Sequence, residues 1–304
     1  MADILLHHYD TSPFSEKVRV MLGLKGLAWR SVIQPSIMPK PELVPLTGGY
    51  RRAPVMQIGA DVYCDSQVIL AELEARWPEP RVVRPADWAV NLWADRLWFQ
   101  ASVAVVFGAL GDNVPRAFIE DREKLSGRPF DIAAMQAAAG PMRSQWRGHA
   151  AWIEQGLKGQ NFLGGATASL ADVAAYMNVW WLFRAVEPVA GDLLAGMDRT
   201  LAWRNRMAAI KHGTREELGG AEALAIAAAS DPGTPPAHDP DDLSGLPVGA
   251  AVTVRADDYG RDPIAGRLVA ATPARIVVER DGGELGRLNL HFPRVGYILA
   301  PASA

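Results

Sequence analysis

The spacing of apolar residues changes along the chain and divides it into three regions. In residues 1–80, short apolar runs alternate with stretches whose apolar residues recur every three or four positions, which predicts alternating strands and helices. Residues 86–228 keep the helical spacing, and residues 248–304 show a period of two, which is typical of strands. We therefore expect an α/β domain, then an all-α domain, then a small all-β domain.

The first region has the order of elements of a thioredoxin-like domain. Its strand candidates are Ile4–His8, Trp29–Ile33, Val55–Ile58 and Val62–Cys64. Helices are expected after the first and last of them, and a turn at Gly59-Ala60 joins the last two as a hairpin. Pro54 suits a strand start, because proline donates no hydrogen bond to a sheet. The order β-α-β, a connection and β-β-α is the thioredoxin-like arrangement.

The second region, which follows a proline-rich connector from Pro78 to Pro85, is predicted to be helical and is rich in aromatic residues. The helix candidates are 87–107, 116–124, 131–156, 169–184, 198–212 and 219–229. Ser169 and Asp172 have the spacing of a capping box, in which an acid three residues after the N-cap marks a helix start. Most aromatic residues at helical spacing are expected in the core, and one or two of them beside a pocket.

The third region is reached through residues 229–247, whose proline, glycine and aspartate content predicts a linker that buries little surface. Turns at Asp257-Asp258-Tyr259-Gly260 and Asp281-Gly282-Gly283 punctuate the region. The apolar positions that define its five strand candidates are Val252/Val254, Ile264/Leu268, Ile276/Val278, Leu288/Leu290/Phe292 and Val295/Tyr297/Leu299. Five short strands in residues 248–304 favour a small SH3-like barrel.

The composition narrows the class of protein. A chain of 304 residues with 49% hydrophobic and 21% charged residues suits a multidomain globular protein. The formal net charge of −3 gives no electrostatic basis for binding nucleic acid or an anionic membrane surface. The single cysteine, Cys64, suits a reducing compartment, and the histidines lack metal-binding spacing. Since no signal peptide or long apolar span is recognised, we expect a cytoplasmic protein without a metal.

The candidate chemistry gathers in the stretch Tyr9–Val20, which is predicted to be a hydroxyl-bearing turn followed by a helix. Ser12 lies just before the helix, where free backbone N–H groups and the positive end of the helix dipole favour an anion. Two interpretations are open from this stretch alone: either a hydroxyl group caps the helix, or an anionic ligand binds there.

Four short motifs decide between them by resemblance to a known family. They are Ser12-Pro13-Phe14-Ser15-Glu16-Lys17-Val18-Arg19, Ala53-Pro54-Val55, Asp65-Ser66 and Ser169-Leu170-Ala171-Asp172. Their order and separations, with an α/β half before an all-α half, resemble the cytosolic glutathione S-transferases. The serine-bearing turn is most similar to the tau and zeta types. The resemblance covers residues 1 to about 228, and the all-β region lies outside it.

The resemblance implies that Ser12 donates a hydrogen bond to the sulfur of glutathione. A free thiol has a pKa of about 8.5, and lowering it by about two units needs about 2.7 kcal/mol of stabilisation of the thiolate. A charge-assisted hydrogen bond of about 1.5–3 kcal/mol together with a helix N-terminus is of this size. Tyr9 competes for the role, because other classes of the family use a tyrosine near the end of the first strand.

The resemblance also implies how the rest of glutathione is held. Ala53-Pro54 corresponds to a cis-proline step whose backbone pairs with the cysteinyl residue. Asp65 would bind the γ-glutamyl amino group and Ser66 the γ-glutamyl carboxylate, and both residues would also cap a helix. Arg52 would pair with the glycyl carboxylate, or else be a solvated surface charge. Phe14, which lies in the Ser12 motif, is also predicted to be a cofactor-binding residue.

The implied activity is a glutathione S-transferase that serves detoxification, with glutathione as co-substrate and a hydrophobic electrophile as second substrate. We expect the electrophile between the first domain and the helices that carry Trp98, Trp180 and Trp181, and we expect a homodimer. The alternatives are a glutathione-dependent isomerase or dehalogenase, a non-catalytic glutathione- or ligand-binding protein, and a structural subunit of the same fold.

Overall fold

The amino-terminal domain has a four-stranded sheet at its centre. The computed structural model describes residues 3–302. The elements of this domain are β1 (Leu5–His8), α1 (Pro13–Leu24), β2 (Ala28–Ile33), α2 (Leu43–Thr47), β3 (Val55–Ile58), β4 (Asp61–Cys64) and α3 (Ser66–Arg76). β1 pairs with β2 in parallel and with β3 in antiparallel, and β3 and β4 form the expected hairpin. The predicted thioredoxin-like arrangement is confirmed, with the short helix α2 as an addition.

Side-chain caps fix the starts of α1 and α3. The backbone N–H of Ser15 donates to Ser12 Oγ at 3.2 Å, and the backbone N–H of Gln67 donates to Asp65 Oδ1 at 2.8 Å. Each bond satisfies one of the free N–H groups of a helix N-terminus. The capping interpretation of Ser12 and of Asp65 is thereby confirmed, and it is compatible with a second role for either residue.

The second domain is helical. Its helices are α4 (Asp87–Trp93), α5 (Phe99–Leu110), α6 (Arg116–Ser126), α7 (Ile132–Ala137), α8 (Ala139–Gly156), α9 (Leu170–Leu193), α10 (Asp198–Ile210) and α11 (Gly220–Ala228). A π-helical turn, Ala94–Trp98, joins α4 to α5. The α9 backbone breaks its helical conformation at Val186, two residues before Pro188. Proline removes a helical N–H and clashes with the preceding turn, which explains this break. The helix was expected over 169–184, and the structure continues α9 beyond the break to Leu193.

The core of the helical domain is aromatic. Trp98, Trp146 and Trp203 are fully buried in it. The buried carboxylate of Asp172 is satisfied there, because the backbone N–H of Ser169 and the indole N–H of Trp203 donate to it at 2.9 and 2.8 Å. The capping box predicted at Ser169 is therefore confirmed.

The helical region also contains a strand that the sequence did not predict. β5 (Thr214–Glu217) pairs in parallel with β2 and forms one edge of the sheet. Its four residues are Thr, Arg, Glu and Glu, which lie mostly exposed, so no alternation of apolar and polar residues marks it. The expectation that residues 86–228 hold no strand was wrong for this reason.

The carboxy-terminal strands extend the amino-terminal sheet. They are β6 (Ala251–Ala256), β7 (Ile264–Ala271), β8 (Arg275–Asp281), β9 (Arg287–Pro293) and β10 (Tyr297–Pro301). The single ten-stranded sheet has the order β10-β6-β7-β8-β9-β4-β3-β1-β2-β5, with β9 parallel to β4. The predicted SH3-like barrel is not confirmed, because the five strands join β4 through β9 instead of forming a sheet of their own.

The junction between β4 and β9 is bonded by side chains as well as by backbone. His291 Nε2 lies 2.8 Å from Asp61 Oδ1, and the backbone N–H of Gly233 donates to Asp61 Oδ2 at 2.7 Å. One apolar cluster runs across the junction and includes Val62 of β4 and Leu290 of β9. Pairing of this kind removes the exposed edge that β4 would otherwise present.

In residues 3–302, no helix is long and apolar enough to cross a membrane.

Candidate active site

A cavity of about 640 Å³ opens where the amino-terminal domain, the helical domain and the carboxy-terminal strands meet. The N-termini of α1 and α3 border it, so Ser12, Asp65 and Ser66 all line it. Two helix N-termini directed at one space create a positive potential that suits an anionic ligand.

Ser12 and Tyr9 lie at the end of this cavity that is formed by the β1–α1 turn. Ser12 is almost completely buried, and its oxygen accepts the capping bond, so its own hydroxyl proton is still available to a ligand. Burial raises the pKa of Tyr9, with the adjacent Ser12 hydroxyl opposing the rise. Tyr9 is therefore a neutral donor at physiological pH, and the structure brings both candidate donors to the same space.

Ala53 and Pro54 also line the cavity, and the peptide bond that joins them is cis. The cis bond expected at this step is confirmed. Asp65 has a φ of 103°, a left-handed conformation that residues with a side chain rarely adopt. Such a backbone persists only where the surrounding structure holds it, and it is frequent at ligand sites.

Arg52 lines the cavity but is already engaged by the carboxy-terminal strands. Its guanidinium lies 3.2 Å from Asp258 Oδ1 and 3.4 Å from Tyr297 Oη. It also lies 5.6, 5.2 and 5.8 Å from the ring centres of Tyr50, Tyr259 and Tyr297. Arg52 is thus neither a solvated surface charge nor an unengaged cation; it joins two parts of the chain.

Lys40 is a cavity residue that the sequence reasoning missed. It is 4% exposed, and its ammonium donates to the carbonyl of Arg51 at 2.8 Å. Burial, with the charges of Arg122 and Arg51 against that of Asp121, lowers the pKa of Lys40 to about 8. An ammonium has three donors, so Lys40 keeps capacity to bind an anion. A lone lysine between two prolines belongs to no recognisable motif, which is why it escaped notice.

The helical domain supplies an apolar wall. The Phe99 ring packs edge-on against Phe14, 4.8 Å between centres, and stacks on Trp181 at 5.3 Å. Phe107, Phe118 and Phe130 continue this wall. The two other tryptophans expected near the pocket lie elsewhere: Trp98 is in the core, and Trp180 packs against Arg19 outside the lining.

Redox chemistry at Cys64 finds no support in the geometry. The thiol is completely buried, and burial raises its pKa well above the usual value, so it is neither accessible nor ionised. In the part of the chain that the structure describes, no cluster of His, Cys, Asp or Glu side chains could hold a metal ion.

Comparison with known proteins identifies the fold and the family. Residues 6–81 match the glutathione S-transferase N-terminal domain, and residues 98–206 match the glutathione S-transferase C-terminal domain. A GST-like protein from Pseudomonas syringae is 32% identical and superposes with a TM-score of 0.82 over 99% of this chain and 100% of its own. The chain belongs to the glutathione S-transferase family. Proteins of this family bind glutathione and usually form dimers.

More distant structures share the fold alone. A glutathione S-transferase from Rhodospirillum rubrum is 20% identical over 66% of this chain and 86% of its own, with a TM-score of 0.51. A tau-class enzyme from mango is 18% identical over 68% and 89%, with a TM-score of 0.50. Comparison with curated protein sequences gives no significant match. The Pseudomonas syringae protein matches along the whole chain and therefore includes the carboxy-terminal strands, whereas these two cover about two thirds of it.

Proposed function

We propose that this protein is a serine-type glutathione transferase, which activates the glutathione thiol for attack on a hydrophobic electrophile. One observation carries the proposal. A single cavity has Ser12, the cis Ala53-Pro54 step and the Asp65-Ser66 pair on one side, and a wall of aromatic rings on the other. The polar side suits a peptide with a thiol, and the aromatic side suits an apolar partner.

Ser12 stabilises the thiolate in this proposal and is not itself a nucleophile. Its hydroxyl donates a charge-assisted hydrogen bond to the sulfur, and the N-terminus of α1 adds a favourable dipole. The thiol proton leaves to solvent, and the sulfur lone pair forms a bond to an electrophilic carbon. A leaving group departs with its electron pair, or an addition product takes up a proton. Tyr9 is the alternative donor, since its neutral hydroxyl borders the same space.

The remainder of glutathione would lie along the polar side. The backbone of Ala53 pairs with the cysteinyl residue, Asp65 accepts the γ-glutamyl ammonium, and Ser66 with the α3 N-terminus binds the γ-glutamyl carboxylate. Lys40 takes the glycyl carboxylate, because it is a buried cation in the lining that retains free donors. Arg52 lines the same cavity and is already paired with Asp258.

The electrophile would lie against Phe14, Phe99 and Trp181, within reach of the sulfur. Aromatic rings recognise apolar molecules through area and shape, with few directional bonds. A wall of this kind supports a broad range of second substrates and thus a role in detoxification.

We further propose a cytoplasmic homodimer, in keeping with the family. Light scattering coupled to size exclusion would give about twice the chain mass of 32.9 kDa. A mass equal to one chain would refute the dimer. Fractionation of cells that express the protein would test its location.

The test of the function is a glutathione titration by calorimetry, followed by a panel of electrophiles. Glutathione binding with stoichiometric formation of a thioether supports the transferase. Turnover of a substrate without consumption of glutathione would reassign the protein to isomerisation or dehalogenation. Binding without turnover across the panel would make it a carrier, and failure to bind glutathione would leave a structural role.

A further inference from the structure

The carboxy-terminal strands border the cavity directly. Their lining residues include Asp258 and Tyr259 from the β6–β7 turn, Val295 from the β9–β10 turn and Tyr297, the first residue of β10. This part of the chain lies outside the two matched family domains. Its contribution to the site is therefore not explained by the function proposed above.

Tyr297 contacts the carboxylate that is expected to bind the γ-glutamyl ammonium. Its hydroxyl donates to Asp65 Oδ2 at 3.0 Å, while the other oxygen of Asp65 accepts the capping N–H of Gln67. Both oxygens of Asp65 are thus held in place. A carboxylate has about four lone-pair sites, so it can still accept an ammonium between these two bonds.

The Tyr297 hydroxyl has one proton, and its neighbours direct that proton to Asp65. Arg52 Nη2 donates to Tyr297 Oη at 3.4 Å, and the hydroxyl of Tyr50 lies 3.2 Å away. An ionised carboxylate only accepts, so the single proton of Tyr297 goes to Asp65 in preference to the neutral hydroxyl of Tyr50. Burial raises the pKa of Tyr297 well above its usual value, which keeps the hydroxyl a donor over the physiological range.

We propose that Tyr297 of the carboxy-terminal strands is a positioning residue for glutathione recognition, which orients Asp65 toward the γ-glutamyl ammonium and thereby makes these strands one wall of the glutathione site. The inference rests on the proposed function, because it assumes that Asp65 meets that ammonium. It assigns a role in ligand selection to a region that the matched family domains do not include.

The test compares Tyr297→Phe with the unaltered protein in the affinity for two ligands. One ligand is glutathione, and the other is glutaryl-cysteinylglycine, which lacks only the amino group. Loss of the hydrogen bond that orients the half-buried carboxylate of Asp65 should weaken glutathione binding about fivefold to tenfold. It should change binding of the glutaryl compound less than about twofold, because that ligand has no ammonium for Asp65 to meet.

Two further variants separate positioning from folding. Tyr63→Phe removes another buried tyrosine hydroxyl that donates to a carboxylate, Glu72, at 3.1 Å outside the cavity, and it should leave both affinities unchanged. In an Asp65→Asn background, the Tyr297→Phe substitution should lose its effect on glutathione, because residues that act through one another are not additive.

Three results would overturn the inference. If Tyr297→Phe weakens the binding of both ligands equally, the role of Tyr297 is structural. If the affinity for glutathione is unchanged, Tyr297 has no role in binding it. If glutathione binds more tightly, Tyr297 competes with the ligand for Asp65. If the unaltered protein does not bind glutathione, the proposed function fails and the inference fails with it. If the unaltered protein binds glutathione tightly and Tyr297→Phe does the same, the inference alone fails.

Discussion

The two sides of the cavity are built by different kinds of interaction. On the polar side, Ser12 and Asp65 each make a capping bond, and Asp65 is also bonded to Tyr297. On the apolar side, Phe99 and Trp181 are held by ring packing. Directional bonds fix the positions of polar atoms closely, whereas packed rings fix only a surface.

This difference indicates that the polar side selects glutathione and the apolar side accommodates the electrophile in the proposed reaction. On the polar side, hydrogen bonds to neighbouring groups fix the positions of the donors and acceptors. Such a side selects one ligand by its charges and hydrogen bonds, because a buried polar group without a partner costs free energy. A side made of aromatic rings excludes only ligands that are too large or too polar. We expect substitutions on the polar side to affect glutathione strongly, and substitutions on the apolar side to affect the electrophile modestly.

The largest effect is expected for Ser12→Ala. Loss of a charge-assisted bond of about 1.5–3 kcal/mol should lower kcat/KM about 10- to 100-fold and raise the pKa of bound glutathione by about one to two units. Absorbance of the thiolate against pH measures the pKa. Ser15→Ala is the matched control, because the Ser15 hydroxyl has no hydrogen-bond partner in residues 3–302 and lies outside the lining. An unchanged pKa in Ser12→Ala would transfer the role to Tyr9.

A smaller effect with a pH signature is expected at Lys40. Its pKa of about 8 means that its charge is lost as the pH rises past that value. If Lys40 binds the glycyl carboxylate as proposed, affinity for S-methylglutathione, which has no thiol to titrate, should fall above about pH 8. Lys40→Met should weaken binding about fivefold at pH 6.5 and remove this part of the pH dependence. Lys40→Arg should retain affinity at high pH, and the same decline in all three proteins would exclude Lys40.

Trp181→Leu tests the apolar side. Removing ring area should raise the KM for the electrophile a few-fold while the Kd for glutathione changes less than about twofold. Trp180→Leu is the neighbouring control, since Trp180 lies outside the cavity lining. An equal loss of glutathione affinity in Trp181→Leu would mean that the two sides are not independent.

The smallest effect is expected for Asp257→Asn. Asp257 pairs at 2.6 Å with Arg96, which lines the cavity, and both side chains are about one third or more exposed. Exposed ion pairs contribute about 0–1 kcal/mol, so the melting temperature and the glutathione affinity should scarcely change. A large loss of affinity would show that surface charge, and not the partly buried Tyr297–Asp65 bond, holds the carboxy-terminal strands at the site.

Local sequence signals predicted those parts of the fold whose causes are local. The caps at Ser12, Asp65 and Ser169 follow from residue type at a helix start, and the helices follow from apolar spacing. β5 was missed because its exposed residues have no apolar alternation. The pairing of β9 with β4 was missed because it joins positions more than two hundred residues apart, for which a single sequence gives no signal.

The same distinction applies to the candidate site. Ser12, Ala53-Pro54 and Asp65-Ser66 were found because they lie in motifs. Lys40 and Tyr297 contribute side chains that reach the cavity only through the tertiary fold. The alternation of residues in β10 marked Tyr297 as a strand position, but nothing in the sequence placed its hydroxyl beside Asp65. Arg52 was noticed as a cation, yet its partner Asp258 comes from a distant turn.

The parallel pairing of β9 with β4 has a consequence for how the protein is made. During synthesis, domains emerge and fold from the amino terminus at about 5–20 residues per second. The first domain and the helices can pack while the edge of β4 is still unpaired. The part of the cavity that Tyr297 lines cannot form at that stage, because β9 and β10 have not yet been made. If the cavity binds glutathione as proposed, a nascent chain completes this site late, after both family domains have left the ribosome. Ligand binding would then report that the strands β6–β10, which follow both family domains, have docked.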